Sequence, residues 1–180
     1  MAVWWPQHSF YGRLRPGERV ELMRVGRSRR FGPGEVIYGE GRPLVVALVR
    51  TGLVKVTVAA PGGSALMFPV IGPGDIAGVG DAVNDYALGT ASAFTDVDAV
   101  VMSQVTFMSF LNSKPTAWET VTRDLARRAA WTQQHAAQIA YEPVGWRLAK
   151  ALLDLIVIDQ AVAEGVAPFG CHCRRRNWPA

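Results

Sequence analysis

The chain has 180 residues, 49% of them hydrophobic, and a formal net charge of +4. That suits one ordinary domain with a buried core, or one domain plus a short appendage, and it excludes a disordered composition. The mildly basic balance permits nucleic-acid contact without requiring it.

The first residues carry neither a charged leader nor a long apolar run, so no signal peptide is expected. The longest apolar runs are interrupted by Lys, Arg, Gly or Pro well short of a membrane span. Both cysteines, Cys171 and Cys173, lie near the end, a usage that fits a reducing, cytoplasmic compartment. Residues 9–26 (SFYGRLRPGERVELMRVG) predict a helical prelude. Pro16 opens it, Val20, Leu22, Met23 and Val25 give it an apolar side, and Gly26 ends it. The RSRR cluster at 27–30 reads as the solvated entrance to a strand.

From residue 31 to 102 short apolar runs alternate with Gly and Pro. Residues 53–58 (LVKVTV) are rich in β-branched side chains and follow a Thr51-Gly52 turn signal. Pro61-Gly62-Gly63 predicts a hairpin turn, with 65–71 returning as the partner strand, and 91–104 gives two more strands across Thr95-Asp96. Short strands at this spacing predict a β-sandwich or β-roll. Embedded among them, residues 71–90 (IGPGDIAGVGDAVNDYALGT) hold glycines at 72, 74, 78, 80 and 89 and three aspartates, with no basic side chain. Such glycine density marks turns and ligand-cradling loops alike, and leaves room for one short helix. Asp75, Asp81 and Asp85 have no His or Lys near them in sequence, so acid–base catalysis lacks a partner and turn capping is their simplest use. With no GxSxG, Walker-type GKS or GKT, HExxH or CxxC, an enzyme is not expected.

Residues 105–112 predict a short helix, and Pro115 starts a long one that runs to Tyr141 without a further Gly or Pro. Trp118, Val121, Leu125, Thr132 and Ile139 recur at threes, fours and sevens, a narrow stripe interrupted by Arg128 and His135. The stripe either packs on the chain's own β-domain or pairs with the same helix of a second subunit. Glu142-Pro143 breaks the helix, and 146–158 predicts another. The final stretch, 167–180, is neither periodic nor strand-like. Its Cys171-His172-Cys173 lacks the spacing of a tetrahedral zinc site, so no metal is expected, and the arginines at 174–176 read as a basic tail.

As a set, several segments resemble the Crp–Fnr family of bacterial transcription regulators. They are RFGPGEVIY at 30–38 with Glu40-Gly41, GLVKV at 52–56, GPGD at 72–75 with Gly78, TASAFTDVDA at 90–99, the helix at 107–115, and RDLARR at 123–128. The resemblance implies an α+β fold: a cyclic-nucleotide-binding β-roll, jelly-roll-like, with flanking helices and a long C-terminal dimerisation helix. It divides the chain into a roll with its N-terminal helix (1–114), the long helix (115–142), and the remnant of a winged helix-turn-helix with an irregular tail (143–180). The dimer interface it implies uses Trp118, Val121, Leu125, Thr132 and Ile139 in a parallel homodimer.

In nucleotide-binding members of that family a Gly-Glu pair takes the ribose hydroxyl, and an Arg-Ser or Arg-Thr pair takes the cyclic phosphate. The equivalent pocket positions here are Gly78 and Val79, then Ala87 and Leu88, with Thr90. Val79 accepts nothing from a sugar hydroxyl, and without the arginine a phosphate loses its charge-assisted bidentate contact. Asp81 and Asp85 would repel an anion. Cyclic AMP is therefore not expected as a ligand or cofactor; the pocket is empty or takes another, less anionic small molecule as effector. The 22 residues after 158 do not accommodate a winged helix, so specific DNA reading by this polypeptide alone is not expected, and the ending reads as a truncation or a shifted frame. With no cysteine in 1–170, a Cys-ligated iron–sulfur cluster is excluded. The expected function is a dimeric regulatory sensor module of a transcription regulator, with a degenerate pocket and an incomplete DNA-binding domain. The alternative is a truncated partner that heterodimerises with a full-length regulator.

Overall fold

The computed structural model describes residues 9–39, 42–59, 65–67, 70–87, 89–146, 148, 149, 152 and 153, without the side chains at 134, 135, 138 and 139. Ser9 opens the first helix by accepting the Gly12 N–H on its hydroxyl at 3.1 Å. That helix, α1 (Phe10–Arg13), is a single turn. Pro16 then starts α2 (Pro16–Val25) at a position where its missing N–H is not needed. The expected prelude is thus two helices, separated by Leu14 and Arg15 in extended backbone, because the residue before a proline disfavours the helical region. Gly26 ends α2 as expected.

Among the described residues eight strands follow, in chain order β1 (Arg27–Phe31), β2 (Val36–Tyr38), β3 (Val45–Thr51), β4 (Val54–Ala59), β5 (Ala65–Met67), β6 (Ile76–Ala77), β7 (Thr90–Ala93) and β8 (Val97–Ser103). The helix α3 (Val79–Asn84) lies between β6 and β7, and α4 (Gln104–Ser113) and α5 (Pro115–Tyr141) come last. The strands form two antiparallel four-stranded sheets, ordered β1-β8-β3-β6 and β2-β7-β4-β5. Residues 144–146, 148, 149, 152 and 153 are helical again after Pro143.

The long β3 shows how the layers are made. Successive side chains point to opposite faces of a sheet. Ala47 and Val49 join Phe31, Val54 and Val97 in a core between the sheets, while Val46 and Leu48 join Leu22, Phe107 and Leu111 in a second core under the helices. Both faces of β3 are covered, so it reads as a continuous apolar run. By contrast β1 exposes four of its five residues and pairs only with β8. Three arginines on an edge strand discourage pairing with another chain, which accounts for the RSRR cluster. The return strand expected over 65–71 is shorter: β5 spans Ala65–Met67, and Ile71 adds only a bridge to Val54. Among the described residues no helix is long and apolar enough to cross a membrane.

Candidate functional site

The glycine-rich segment is folded around the two cores, not looped away from them. Gly78 has φ 84° and caps α3, and a Cβ there would stand 2.4 Å from the Val45 carbonyl oxygen, so only glycine fits. Two residues earlier, β6 pairs with Leu48 and Ala47 of β3. At its other end α3 finishes on Asp85, whose φ of 63° is left-handed. Gln104, the first residue of α4, holds that end: its Nε2 donates to the Ala82 carbonyl at 2.9 Å and to the Asp85 carboxylate.

Tyr38 fills the space under Gly78. It is 2% exposed, its ring lies against Gly78, and the Asp81 carboxylate acts on its hydroxyl. Burial first, and then the Asp81 charge, hold its phenol well above the ordinary range. Of the predicted pocket residues, Val79 is 1% exposed and belongs to the core under the helices. Ala87 is half-buried on the segment joining α3 to β7. Thr90 is half-buried on β7, where its carbonyl accepts the Thr57 hydroxyl at 3.4 Å and its side chain lies against Gly39. Leu88 lies outside the described residues. A surface cleft of about 450 Å³ lies elsewhere, lined by Arg30, Phe31, Gly32, Thr51, Asp96, Val97 and Asp98, and none of Gly78, Val79, Ala87 and Thr90 borders it.

Of the three aspartates, Asp85 is exposed and caps the end of α3, in keeping with a turn-capping use, whereas Asp75 and Asp81 are buried. Asp81 is buried against Tyr38. Asp75 is 1% exposed, and its Oδ1 accepts the Phe10 N–H at 3.0 Å, while Oδ2 has no partner among the described residues. Burial, with the Asp124 charge adding to it, pushes the Asp75 carboxyl up to about 6, against the Phe10 N–H and the Arg128 and Arg127 charges that pull it down. Asp124, on α5, is also buried and accepts Arg127 Nη2 at 2.6 Å and Arg128 Nε at 2.8 Å. Arg128 reaches further, with Nη2 donating to the Ile76 carbonyl at 2.9 Å.

The predicted dimer stripe is divided. Val121 is fully buried in its own chain's core, so it is not available to a partner; a stripe records which face is apolar but not what covers it. Trp118 and Leu125 are partly buried and pack on the same core. Thr132 is exposed, with its hydroxyl donating to the Arg128 carbonyl at 3.0 Å. The Ile139 side chain, residues 154–180 and the Pro61-Gly62-Gly63 turn lie outside the described residues.

Sequence reasoning missed Tyr38 with Asp81, and Asp124 with its arginines. The Asp124-Arg127-Arg128 spacing was a usable signal for the second, since residues three and four apart share a helix face; Arg128 was taken as an interruption of the stripe.

Residues 28–114 match the cyclic nucleotide-binding domain family. Over 128 residues the chain is 32% identical to a CRP-like cAMP-activated global transcriptional regulator of Mycobacterium tuberculosis, covering 69% of this chain and 57% of that protein. Residues 28–114 are thus a cyclic nucleotide-binding domain, and the chain is a homologue of that CRP-like regulator. The chain spans little more than half the length of that curated relative. In fold, the CRP-like chain is similar to the c-di-GMP responsive global regulator CLP of Xanthomonas campestris, with TM-score 0.71, 17% identity, and coverage of 78% of this chain and 72% of that one. It is also similar to the catabolite activator protein of Thermus thermophilus, with TM-score 0.64, 20% identity, and coverage of 88% and 81%. The cyclic nucleotide-binding domain is the β-roll described above with α4, and its homology supports a regulatory sensor module.

Proposed function

We propose that this CRP-like protein is a dimeric regulatory module whose nucleotide pocket is closed by its own side chains. The carrying observation is Tyr38: its buried ring lies against Gly78, and the buried Asp81 carboxylate acts on its hydroxyl. A ring that fills the space beside Gly78 leaves no room there for a ligand, and a buried carboxylate beside it repels a phosphate. Val79, at the position of the family's ribose-binding glutamate, is core. Cyclic AMP is then not the natural ligand, and any effector is a less anionic molecule that displaces or bypasses Tyr38. Partners under this reading are such an effector and a second copy of the chain, and the role is regulatory in the cytoplasm, not catalytic.

The second copy is placed on the C-terminal half of α5, where Thr132, Ala136, Ala137, Ala140 and Tyr141 are exposed. The division into a roll (1–114), a long helix (115–142) and a remainder (143–180) belongs to the same reading.

Isothermal titration with cyclic AMP and cyclic GMP, taken to millimolar concentration, tests the pocket. No heat is expected from either. Saturable heat from one of them would show that Tyr38 yields to a phosphate and that the pocket is functional. Sedimentation tests the assembly: a dimer is expected, and Thr132→Glu is expected to shift it to monomer with an unchanged thermal midpoint.

A further inference from the structure

We propose that a relay of buried polar side chains, running from Tyr38 inside the roll to Asp124 on α5, clamps α5 to the glycine-rich segment without any ligand. The inference goes beyond the reading of the pocket and stands whether or not a nucleotide binds.

The relay has one step at each layer. In the roll, the buried Tyr38 ring lies against Gly78, and the Asp81 charge acts on its hydroxyl. Arg128 faces Tyr38 and donates to the Ile76 carbonyl, so α5 is bonded to β6 two residues before Gly78. Asp124 then gathers Arg127 and Arg128 on α5 itself. From the other side α1 closes on the same segment, with the Tyr11 N–H donating to the Gly74 carbonyl at 2.9 Å and the Phe10 N–H to Asp75. Arg13, whose Nη1 is buried without a hydrogen-bond partner among the described residues, faces Asp75 and Asp124 of opposite charge and Arg127 and Arg123 of like charge. Burial, chiefly, lowers its pKa.

Apart from Tyr38, the relay holds three carboxylates (Asp75, Asp81, Asp124) and three guanidinium groups (Arg13, Arg127, Arg128). The charges balance as a set, and none is balanced alone. Moving α5 away from β6 would break the Arg128–Ile76 bond and leave the buried Asp75 facing fewer cations in a poorly solvated layer, where unpaired charge is costly. Neighbouring strands and helices are rigid, so a displacement at one end is felt at the other.

Amide hydrogen exchange read by mass spectrometry on the full chain tests the clamp, comparing residues 76–84 with 116–128. Arg128→Met keeps an unbranched apolar stem and removes the guanidinium group with its charge. It is expected to raise exchange in both segments by about tenfold or more, the loss of a charge-assisted hydrogen bond. Glu119→Gln, which loses only an exposed pair with Arg123, is expected to leave residues 76–84 unchanged. A rise confined to one of the two segments in Arg128→Met, or a rise in neither, overturns the proposal. If Arg128→Met does not fold, Tyr38→Phe carries the test alone by removing one hydroxyl at the far end of the relay. Raised exchange in 116–128 is expected there, and unchanged exchange overturns the relay.

Discussion

The arginines of β1 and those of α5 look alike in sequence, as RSRR at 27–30 and RR at 127–128, yet they do opposite work. On β1 they are exposed; Arg29 pairs with Glu35 across side chains that are 57% and 45% exposed, and lies 4.5 Å over the Phe31 ring. There they keep an edge from pairing. On α5 the guanidinium groups converge on Asp124, whose side chain is 4% exposed, and one of them bonds to the roll. Charge count therefore does not locate function in this chain. The carboxylate that each arginine meets, and how far that carboxylate is from water, does.

That contrast can be broken by truncating carboxylates in order of burial. Asp124→Ala leaves two cations without their common partner and is expected to cost about 3 kcal/mol in denaturant unfolding, since removing one member of a buried pair leaves an uncompensated charge. A cost under about 1 kcal/mol would place Asp124 with the surface pairs.

The next effect is on pH dependence. Asp75 titrates at about 6 in the folded chain, against an ordinary value of 3.8, so the folded form holds its proton more tightly than the unfolded one. The stability from its neutral form is full below 3.8 and is lost as the pH rises to about 6, an amount of about 2–3 kcal/mol. Denaturant midpoints between pH 4 and 8 should show that falling limb in the native chain and lose it in Asp75→Asn. An identical limb in both would remove Asp75 from the buried set.

Smaller still is Asp98→Ala. Asp98 accepts Arg50 at 2.7 Å and the Ser28 hydroxyl at 3.3 Å with 18% of its side chain exposed, so about 1 kcal/mol is expected by thermal melting. Last is Glu35→Ala at the β1 edge, where half-exposed partners are screened by solvent and salt and a change below about 0.5 kcal/mol is expected. If the order of Asp124, Asp98 and Glu35 were scrambled, burial would not be what separates the two arginine groups.

Much of this fold was legible in the sequence. Pro16, Gly26 and Pro115 bound their helices as proline and glycine chemistry dictates, and the β-branched run at 53–58 lies on β4. What escaped was short or two-sided. A two-residue strand such as β6 shows no alternation to read, and it hides among glycines. The apolar stripe of α5 is visible, but periodicity does not reveal that Val121 is covered by its own chain. The candidate site was legible at Gly78, where the backbone conformation demands glycine. It was not legible at Tyr38 and Asp81, which are far apart in the chain and are joined only by the roll.

The seating of the first two helices also sets an order of events during synthesis. Phe10 finds its partner Asp75 65 residues later, and Glu18 meets the Thr116 hydroxyl 98 residues later. Contacts of such high sequence separation form late and slow folding. As the chain leaves the ribosome, the core that Phe10 and Leu22 join is not complete until the start of α5 has emerged, since Ala117 and Val121 belong to it. For most of its translation the N-terminal end is then a client for chaperones, and stalling before residue 116 would leave it exposed to aggregation.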